Sequence, residues 1–204
     1  MQLYSHKISV VVPIHAEMKN GAFFLWRLIQ SLMQQTFTDY ELVIVQEGRM
    51  AHNTNAGIKK ATGEWIKILY LDDYFAHPEA LQRIVDVCTP EVEWIVTGCL
   101  HQAEGAPIAP HYPSYSPDIY LGNNTIGSPS VLTIRNNYPL LFDENLSWLL
   151  DCELYYRYWN KHGPPYLLND LNVIIGLHDG QTSTIMPSEE KLQEFEYLNK
   201  KYGK

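Results

Sequence analysis

The 204-residue chain has few cysteines and no long hydrophobic run. Cys88, Cys99 and Cys152 lie far apart without a CxxC pair, which argues against a disulfide framework or a zinc site and indicates a reducing cytoplasm. No apolar run approaches the roughly 20 residues that span a bilayer. The first residues form a short polar lead into a strand, so we expect no signal peptide.

Several nucleotide-binding and hydrolytic motifs are also missing. There is no GxGxxG after the first predicted strand and no GxxxxGK[ST], which argues against a dinucleotide-dependent dehydrogenase and a P-loop enzyme. HExxH and GxSxG are absent as well. The formal net charge of −8 gives no electrostatic support for a nucleic-acid partner. An anionic small ligand would therefore need a local cation, such as a metal ion.

Buried strands and amphipathic helices alternate over the first hundred residues. Runs of apolar and β-branched residues predict strands at residues 8–14, 40–48, 64–71 and 93–99. Helical periodicity predicts helices at residues 24–36, at 53–63 and after Pro78. The alternation predicts an α/β fold with a mostly parallel sheet and right-handed crossovers.

The second half of the chain has a different pattern. Residues 100–127 contain four prolines and little periodicity, which predicts a long loop that orders over a ligand as a lid. Strands at 130–134 and 173–177, a helix at 147–163 and a last helix capped by Ser188 follow. We predict one domain, with a nucleotide half (about 1–99), an acceptor half (about 100–187) and a C-terminal helix (188–204).

Polar residues stand at three of the predicted strand ends: residues 13–17, Glu47 and the pair Asp72–Asp73. Ligands of doubly wound sheets bind beyond the carboxyl ends of the strands, so we expect these residues to converge on one crevice. Two adjacent carboxylates are more often a solvated turn. At this position, however, they suit a hard divalent cation, Mg²⁺ or Mn²⁺, which would relieve their mutual repulsion.

Four segments together resemble the family-2 inverting glycosyltransferases of the GT-A fold. They are "ISVVVPIHAE", "ELVIVQEG", "NAGIKKATGEWIKILYLDD" and "LSWLLDCELYYR", and their order matches over most of residues 7–163. The resemblance implies a nucleotide-diphosphate sugar donor, a divalent metal and direct displacement at the anomeric carbon. It also implies a saccharide or lipid-linked acceptor and a role in bacterial surface polysaccharide synthesis in the cytoplasm. The last helix could pack on the domain or contact the inner face of the plasma membrane.

The resemblance assigns roles to individual residues. It implies that the nucleotide is bound by Pro13, His15, Glu17, Glu47, Asn55 and Asp72. It assigns Asp72 and Asp73, the last two acids of the "LDxDD" motif, as ligands of the metal. His178 matches a late histidine that binds the metal or the diphosphate in some GT-A enzymes. A satisfied polar group is an equal alternative for His178. The proposed base falls on Asp151, the aspartate of the "ED" pair.

The chain departs from the family pattern at three positions. Thr54 replaces the arginine of "RNxG", Tyr70 replaces the first acid of "LDxDD", and Leu150 replaces the glutamate of "ED". These departures leave room for a catalytically silent sugar-nucleotide binder. A metal-dependent nucleotidyltransferase is a further alternative, although "VVPIHAEMKNG" does not resemble the basic, glycine-rich phosphate loop that such an enzyme generally needs.

Two carboxylates on the helix at 147–163 have different surroundings. Arg157 lies four residues after Glu153, which predicts an ion pair on the helix surface worth at most about 0.5 kcal/mol. Asp151 has no basic residue three or four positions away and is flanked by aromatic and apolar residues. Together with the resemblance, this pattern favours Asp151 as a general base.

Overall fold

A computed structural model of the chain describes residues 4–15, 18–103 and 109–203. Glu17, which the resemblance assigned to the nucleotide, lies outside the described residues, as do residues 104–108 of the predicted loop.

The structure contains eight strands and six helices in its described part. The strands are β1 His6–Pro13, β2 Tyr40–Val45, β3 Gly63–Ile68, β4 Tyr74–Phe75, β5 Trp94–Ala103, β6 Ala109–His111, β7 Leu132–Arg135 and β8 Tyr166–Leu177. The helices are α1 Gly21–Met33, α2 Met50–Lys60, α3 Ala80–Asp86, α4 Leu150–His162, α5 Thr182–Ile185 and α6 Ser188–Tyr202. Two 3₁₀ turns lie at Ile119–Leu121 and Pro129–Val131.

All eight strands belong to one sheet with the order β2-β1-β3-β7-β5-β8-β4, and β6 pairs with β5. β1 is parallel to β2 and β3, and β5 is parallel to β8. β7 lies antiparallel between β3 and β5 and joins the two parallel groups. The predicted α/β fold is confirmed. Because β7 comes from the second half of the chain, the two predicted halves share this sheet, and their division into nucleotide and acceptor parts stays a prediction.

The central strands are buried because apolar side chains cover both of their faces. Ile8, Val10, Val11 and Val12 of β1 are all fully buried, as expected for an interior parallel strand. On one face, α2 lies so close to β1 that a Cβ at Gly57 would be 2.3 Å from Cγ1 of Val11. Glycine therefore permits the close contact that holds α2 beside the end of β1.

The predicted loop at residues 100–127 is only partly correct in the described part of this segment, since residues 112–118 and 122–127 lie outside helices and strands but strands occupy residues 100–103 and 109–111. β5 continues to Ala103, and β6 returns along it, with Cys99 opposite His111. Further along, Ile119 and Ile126 are fully buried. The segment is a packed layer because its few apolar residues insert into the core, even though they lack a regular spacing in the sequence.

Helix α6 packs on the domain through a buried carboxylate. Glu194 is only 8% exposed and accepts hydrogen bonds from the backbone N–H groups of Ser147 (2.6 Å), Trp148 (3.0 Å) and Leu149 (2.9 Å). These groups immediately precede α4, where unpaired N–H groups and the helix dipole favour a negative charge. α6 thereby fixes the start of the helix that carries Asp151.

The beginning of α6 differs from the sequence prediction. The helix starts at Ser188 itself, and Pro187 occupies the capping position, so the predicted Ser188 cap is wrong. Within residues 4–15, 18–103 and 109–203, no helix has the length and apolar character needed to cross a membrane.

The ion pair between Glu153 and Arg157 exists, but the prediction that it lies on the surface is wrong. Glu153 is 0% exposed. Its carboxylate accepts hydrogen bonds from Arg157 Nε (2.7 Å), Lys201 Nζ (2.9 Å) and the Tyr202 hydroxyl (2.5 Å). Burial alone would raise the pKa of Glu153, but the hydrogen bonds from Arg157 and Tyr202 outweigh it and lower the pKa. Glu153 is therefore the charged centre of the contact between α4 and α6.

We predict that Glu153→Gln lowers the free energy of unfolding by roughly 1.5–3 kcal/mol, because the buried side chain loses its charge-assisted hydrogen bonds to Arg157 and Lys201. Urea unfolding at neutral pH measures this loss. The matched control is Glu196→Gln, an exposed carboxylate on α6, which should change the free energy by no more than about 0.5 kcal/mol.

The pH dependence of stability, compared between wild type and Glu153→Gln, gives a second test. The lowered pKa of Glu153 means that its stabilisation is present at neutral pH and is lost as acid protonates the folded carboxylate. The stability difference between wild type and Glu153→Gln should therefore shrink on acidification. Equal stability of the two proteins at neutral pH would contradict the assignment.

Candidate functional site

The structure brings Asp72 and His178 together at one edge of the sheet. Asp72 lies in the turn after β3, and His178 follows β8 directly. Asp72 Oδ2 and His178 Nε2 are 3.1 Å apart, and the two side chains are 13% and 23% exposed. Two residues separated by 106 positions in the chain thus form a carboxylate–imidazole pair that solvent can reach.

The orientation of the His178 ring is set by its neighbours. Its Nδ1 accepts the N–H of Gly180 at 3.1 Å, so a neutral ring carries its proton on Nε2 and donates to Asp72. The ring also packs against Phe24, with 5.2 Å between centroids. Binding of a metal through Nε2 would require this proton to leave.

A carboxylate oxygen and an imidazole nitrogen suit Mn²⁺, and carboxylate suits Mg²⁺. In the part of the chain that the structure describes, no group of three or more His, Cys, Asp or Glu side chains is assembled around a metal position. An ion held by Asp72 and His178 would therefore take its remaining ligands from water and from a bound diphosphate, as Mg²⁺ commonly does.

Asp73 has different surroundings from its neighbour. It is 2% exposed, and its Oδ1 accepts the N–H of Gly176 at 3.0 Å. The Ser130 hydroxyl donates to the same carboxylate, while burial and the Asp72 charge raise the pKa of Asp73. Burial leaves little of this carboxylate accessible to an ion, and its assignment as a direct metal ligand stays a prediction.

Lys67 lies beneath this site and is fully buried. Its Nζ donates to the carbonyl oxygen of Ser130. Burial lowers the pKa of Lys67 to about 7, and the nearby Asp73 carboxylate acts in the opposite direction. An ionisable group on the central strand β3 thus lies within electrostatic range of Asp73, which the sequence pattern of β3 did not reveal.

Asp151 lies in the first turn of α4 and is 9% exposed. Its Oδ1 accepts the N–H of Cys152 at 2.7 Å, and its Oδ2 accepts Nδ2 of Asn124 at 2.8 Å. Burial raises the pKa of Asp151 to about 6, although these hydrogen bonds act against the shift. A carboxylate with a pKa near neutrality is suited to general base catalysis.

Sequence reasoning missed Asn124. It belongs to the segment interpreted as a loop, and no motif marked it. Its Oδ1 accepts the backbone N–H of Gly127 at 2.9 Å, so the amide nitrogen is the group that faces Asp151. The asparagine therefore sets the position of the Asp151 carboxylate.

Tyr70 connects the two parts of the site. Its hydroxyl lies beside Thr54, so two of the departures from the family motifs are neighbours in the structure. Burial raises the pKa of Tyr70, and the charges of Asp151 and Asp72 add to this effect. A neutral phenol thus lies within electrostatic range of both the candidate base and the candidate metal ligand.

The ends of β1 and β2 are joined by Asn53, a second residue that sequence reasoning missed. Its Nδ2 donates to the Ile14 carbonyl at 2.8 Å, and its Oδ1 accepts the N–H of Glu47 at 2.8 Å. The neighbouring "NAG" segment predicted a role for Asn55 only. Asn53 thus fixes the backbone beside Pro13 and His15, where the nucleotide is expected.

The other residues assigned to the nucleotide have contacts of their own. The Asn55 amide is buried and binds both the N–H (2.8 Å) and the carbonyl (2.9 Å) of Phe142. The Glu47 carboxylate is on the surface and pairs with Lys60 at 2.5 Å. Contacts of Asn55 and Glu47 with a nucleotide stay predictions.

An open groove of about 640 Å³ lies between the start of α2, the segment before α4 and α6. It is polar and is lined by Arg49, Asn145, Ser147, Met186, Glu189, Glu190, Gln193, Glu194 and Tyr197. None of the described candidate residues lines it. The candidate site at the strand ends is therefore separate from this groove.

No family model matches the chain. Solved structures share its fold. Staphylococcus aureus TarS 1-349, in complex with UDP-GlcNAc, is 18% identical with a TM-score of 0.69, covering 94% of this chain and 65% of TarS 1-349. The mannosyltransferase PcManGT from Pyrobaculum calidifontis, with GDP-Man and Mn²⁺, is 12% identical with a TM-score of 0.64, covering 98% of this chain and 66% of that one.

A third similar structure is glucosyl-3-phosphoglycerate synthase from Mycobacterium tuberculosis, in complex with Mn²⁺, UDP and glucosyl-3-phosphoglycerate. It is 10% identical with a TM-score of 0.58, covering 95% of this chain and 77% of the synthase. The chain thus has the GT-A-type fold of nucleotide-sugar glycosyltransferases. It spans just under two thirds of TarS 1-349, the first of these structures.

We predict that Asn124→Ala raises the pKa of Asp151 by about 0.5 to 1, because a hydrogen bond worth roughly 1 kcal/mol that favours the ionised carboxylate is lost. A ¹³C NMR titration of aspartate carboxyl groups measures the change. Asn123→Ala is the matched control, since Asn123 is the adjacent, exposed asparagine. An unchanged or lowered pKa in Asn124→Ala would show that Asn124 does not stabilise the charged form.

Proposed function

We propose that the protein is an inverting glycosyltransferase that moves a sugar from a nucleotide-diphosphate donor to a hydroxyl group. The observation that carries this proposal is the placement of two chemically distinct groups on a GT-A-type fold. The side chains of Asp72 and His178 are 3.1 Å apart at one edge of the sheet. The buried Asp151 carboxylate has a pKa of about 6, and Tyr70 lies within electrostatic range of both Asp151 and Asp72. The nucleotide sugars named for TarS and PcManGT support the donor class.

The donor diphosphate is proposed to bind next to Asp72 and His178. These two residues would hold Mn²⁺ or Mg²⁺, and the presence of Mn²⁺ in the PcManGT and synthase structures supports this assignment. When bound, the ion supplies positive charge to the departing diphosphate. Pro13, His15, Glu47 and Asn55 are proposed to line or support the nucleotide side.

The acceptor is proposed to approach Asp151. Asp151 removes the proton of the acceptor hydroxyl while its oxygen attacks the anomeric carbon. The new bond between carbon and oxygen forms on the face opposite the diphosphate, whose bond to the carbon breaks, so the configuration is inverted. Asn124 and the Cys152 N–H hold the carboxylate in place during this step.

The class of acceptor rests on the family resemblance. We propose a saccharide or lipid-linked acceptor in bacterial surface polysaccharide synthesis, with the enzyme in the cytoplasm and in peripheral contact with the membrane. A silent sugar-nucleotide binder would release no nucleotide diphosphate when offered UDP-, dTDP- or GDP-sugars with Mn²⁺ and a panel of acceptors. A nucleotidyltransferase would exchange pyrophosphate instead.

Asp151→Asn tests the proposed base. The substitution keeps the shape of the side chain but removes the basic lone pair, so turnover should fall by about 10²- to 10⁴-fold. Affinity for the nucleotide sugar should stay nearly unchanged, since the donor binds at the other strand ends. Release of nucleotide diphosphate measures turnover, and Asp118→Asn, an exposed aspartate outside the site, is the control. Near-wild-type turnover in Asp151→Asn would remove Asp151 from the mechanism.

Metal dependence is tested by titrating nucleotide diphosphate in the presence of either Mn²⁺ or EDTA. We expect tighter binding with Mn²⁺, and Asp72→Asn should remove most of that difference while leaving the fold intact. If wild type binds equally well in both conditions, the Asp72–His178 pair has no metal role.

A further inference from the structure

We propose that Asp73 is a positioning residue that fixes the backbone carrying His178 against the Asp72 turn, and is not itself a ligand of the metal. The two adjacent aspartates then have separate tasks. This inference rests on the proposed function in one respect, because it takes the Asp72–His178 pair as the site of the metal ion.

The first observation is the close contact between the end of β8 and the turn after β3. A Cβ at Gly176 would lie 2.4 Å from the carbonyl oxygen of Asp72, so only glycine allows this approach. The same carbonyl oxygen accepts a hydrogen bond from Arg27 Nη2 at 2.5 Å. The Asp72 backbone is therefore fixed on two sides.

Asp73 stabilises the contact between the end of β8 and the turn after β3 by a hydrogen bond to Gly176. Its Oδ1 accepts the Gly176 N–H at 3.0 Å, and the Gly176 carbonyl accepts Gln181 Nε2 at 3.0 Å. His178 is the second residue after Gly176. The hydrogen bond to Asp73 thus holds the strand end from which the imidazole reaches Asp72.

The Asp73 carboxylate is itself held by a buried polar network. Ser130 Oγ accepts the N–H of Tyr70 at 2.8 Å and donates its proton to Asp73. Lys67, on the neighbouring strand, donates to the Ser130 carbonyl and places its charge near Asp73. Buried polar groups persist when they are hydrogen bonded, as Lys67 and Asp73 both are. The carboxylate faces Gly176, Ser130 and the protein interior.

Loss of such a supporting contact has a characteristic effect on a metal site. Residues that orient the ligands typically change metal affinity by about 10- to 100-fold. If Asp73 orients His178, its removal should weaken the histidine bond in particular. If Asp73 were a ligand, its removal should delete one oxygen and leave the bond to the histidine intact.

The test uses Asp73→Asn and Mn²⁺ electron paramagnetic resonance in the presence of UDP. We expect Mn²⁺ affinity to fall by about 10- to 100-fold. The ¹⁴N coupling of His178 to the bound Mn²⁺ should be lost or strongly reduced. Asp170→Asn is the control, because Asp170 lies on the same strand in an exposed pair with Arg83, and both quantities should match wild type. Full ¹⁴N coupling in Asp73→Asn, combined with weaker Mn²⁺ binding, would overturn the proposal.

A metal-free measurement separates this inference from the proposed function. In Asp73→Ala, which removes the oxygen that accepts the Gly176 N–H, amide hydrogen exchange should accelerate at residues 176–178 and stay unchanged in β1. Unchanged exchange at residues 176–178 would refute the positioning role, whatever the enzyme assays show. A wild-type protein that binds no Mn²⁺ and releases no nucleotide diphosphate would instead refute the proposed function.

A second set of variants guards against misfolding. If Asp73→Asn does not fold, the Lys67→Met/Asp73→Asn double variant replaces both buried ionisable groups by neutral ones and should restore the fold. Ser130→Ala removes one donor to Asp73 without changing a charge. Faster exchange at residues 176–178 in either variant supports the inference, and wild-type exchange in both contradicts it.

Discussion

The hydrogen bond from the Gly176 N–H to the buried Asp73 carboxylate ties two distant parts of the chain together. It joins the turn after β3 to the end of β8, and the 3.1 Å contact between Asp72 and His178 depends on that junction. The close approach needs a glycine at 176 for steric reasons, and the Ser130 hydroxyl and the Gly176 N–H both donate to the Asp73 carboxylate. The Asp72–His178 pair is therefore supported from within the core.

Asp151 depends on a second support, provided by α6. Glu194 binds the backbone just before α4, and Glu153 is bound by Arg157, Lys201 and Tyr202. The C-terminal helix thus acts on the first turn of α4, which carries the proposed base. Both halves of the proposed chemistry rely on buried carboxylates that do not take part in the reaction.

The sequence was informative where local patterns determine structure. The β-branched runs identified β1, β2 and β3, and Asp72 lies just beyond the end of β3, as predicted. Tertiary partners could not be predicted in this way. The i,i+4 spacing of Glu153 and Arg157 correctly indicated a pair, but its burial depends on α6, which is remote in sequence.

The same limit applies to the site itself. His178 could be interpreted as a ligand or as a satisfied polar group, because the sequence does not show that it meets Asp72 across 106 positions. Asn124 was missed because the apolar residues of 100–127 have no regular spacing that would predict a helix or strand. Ile119 and Ile126 of this segment are nevertheless buried in the core. Likewise, the sequence does not show that Asp72 and Asp73 have different surroundings. The difference arises because Gly176 of β8 and Ser130 bind Asp73, whereas Asp72 contacts His178.

The proposed reaction depends most directly on where a metal and a nucleotide bind. Anomalous diffraction at the manganese edge, from crystals grown with Mn²⁺ and UDP, would locate the ion without any assumption about the acceptor. We expect one strong peak between Asp72 and His178, adjacent to the diphosphate. A nucleotide bound elsewhere, for example in the groove beside α6, with no manganese at Asp72 and His178 would contradict the account.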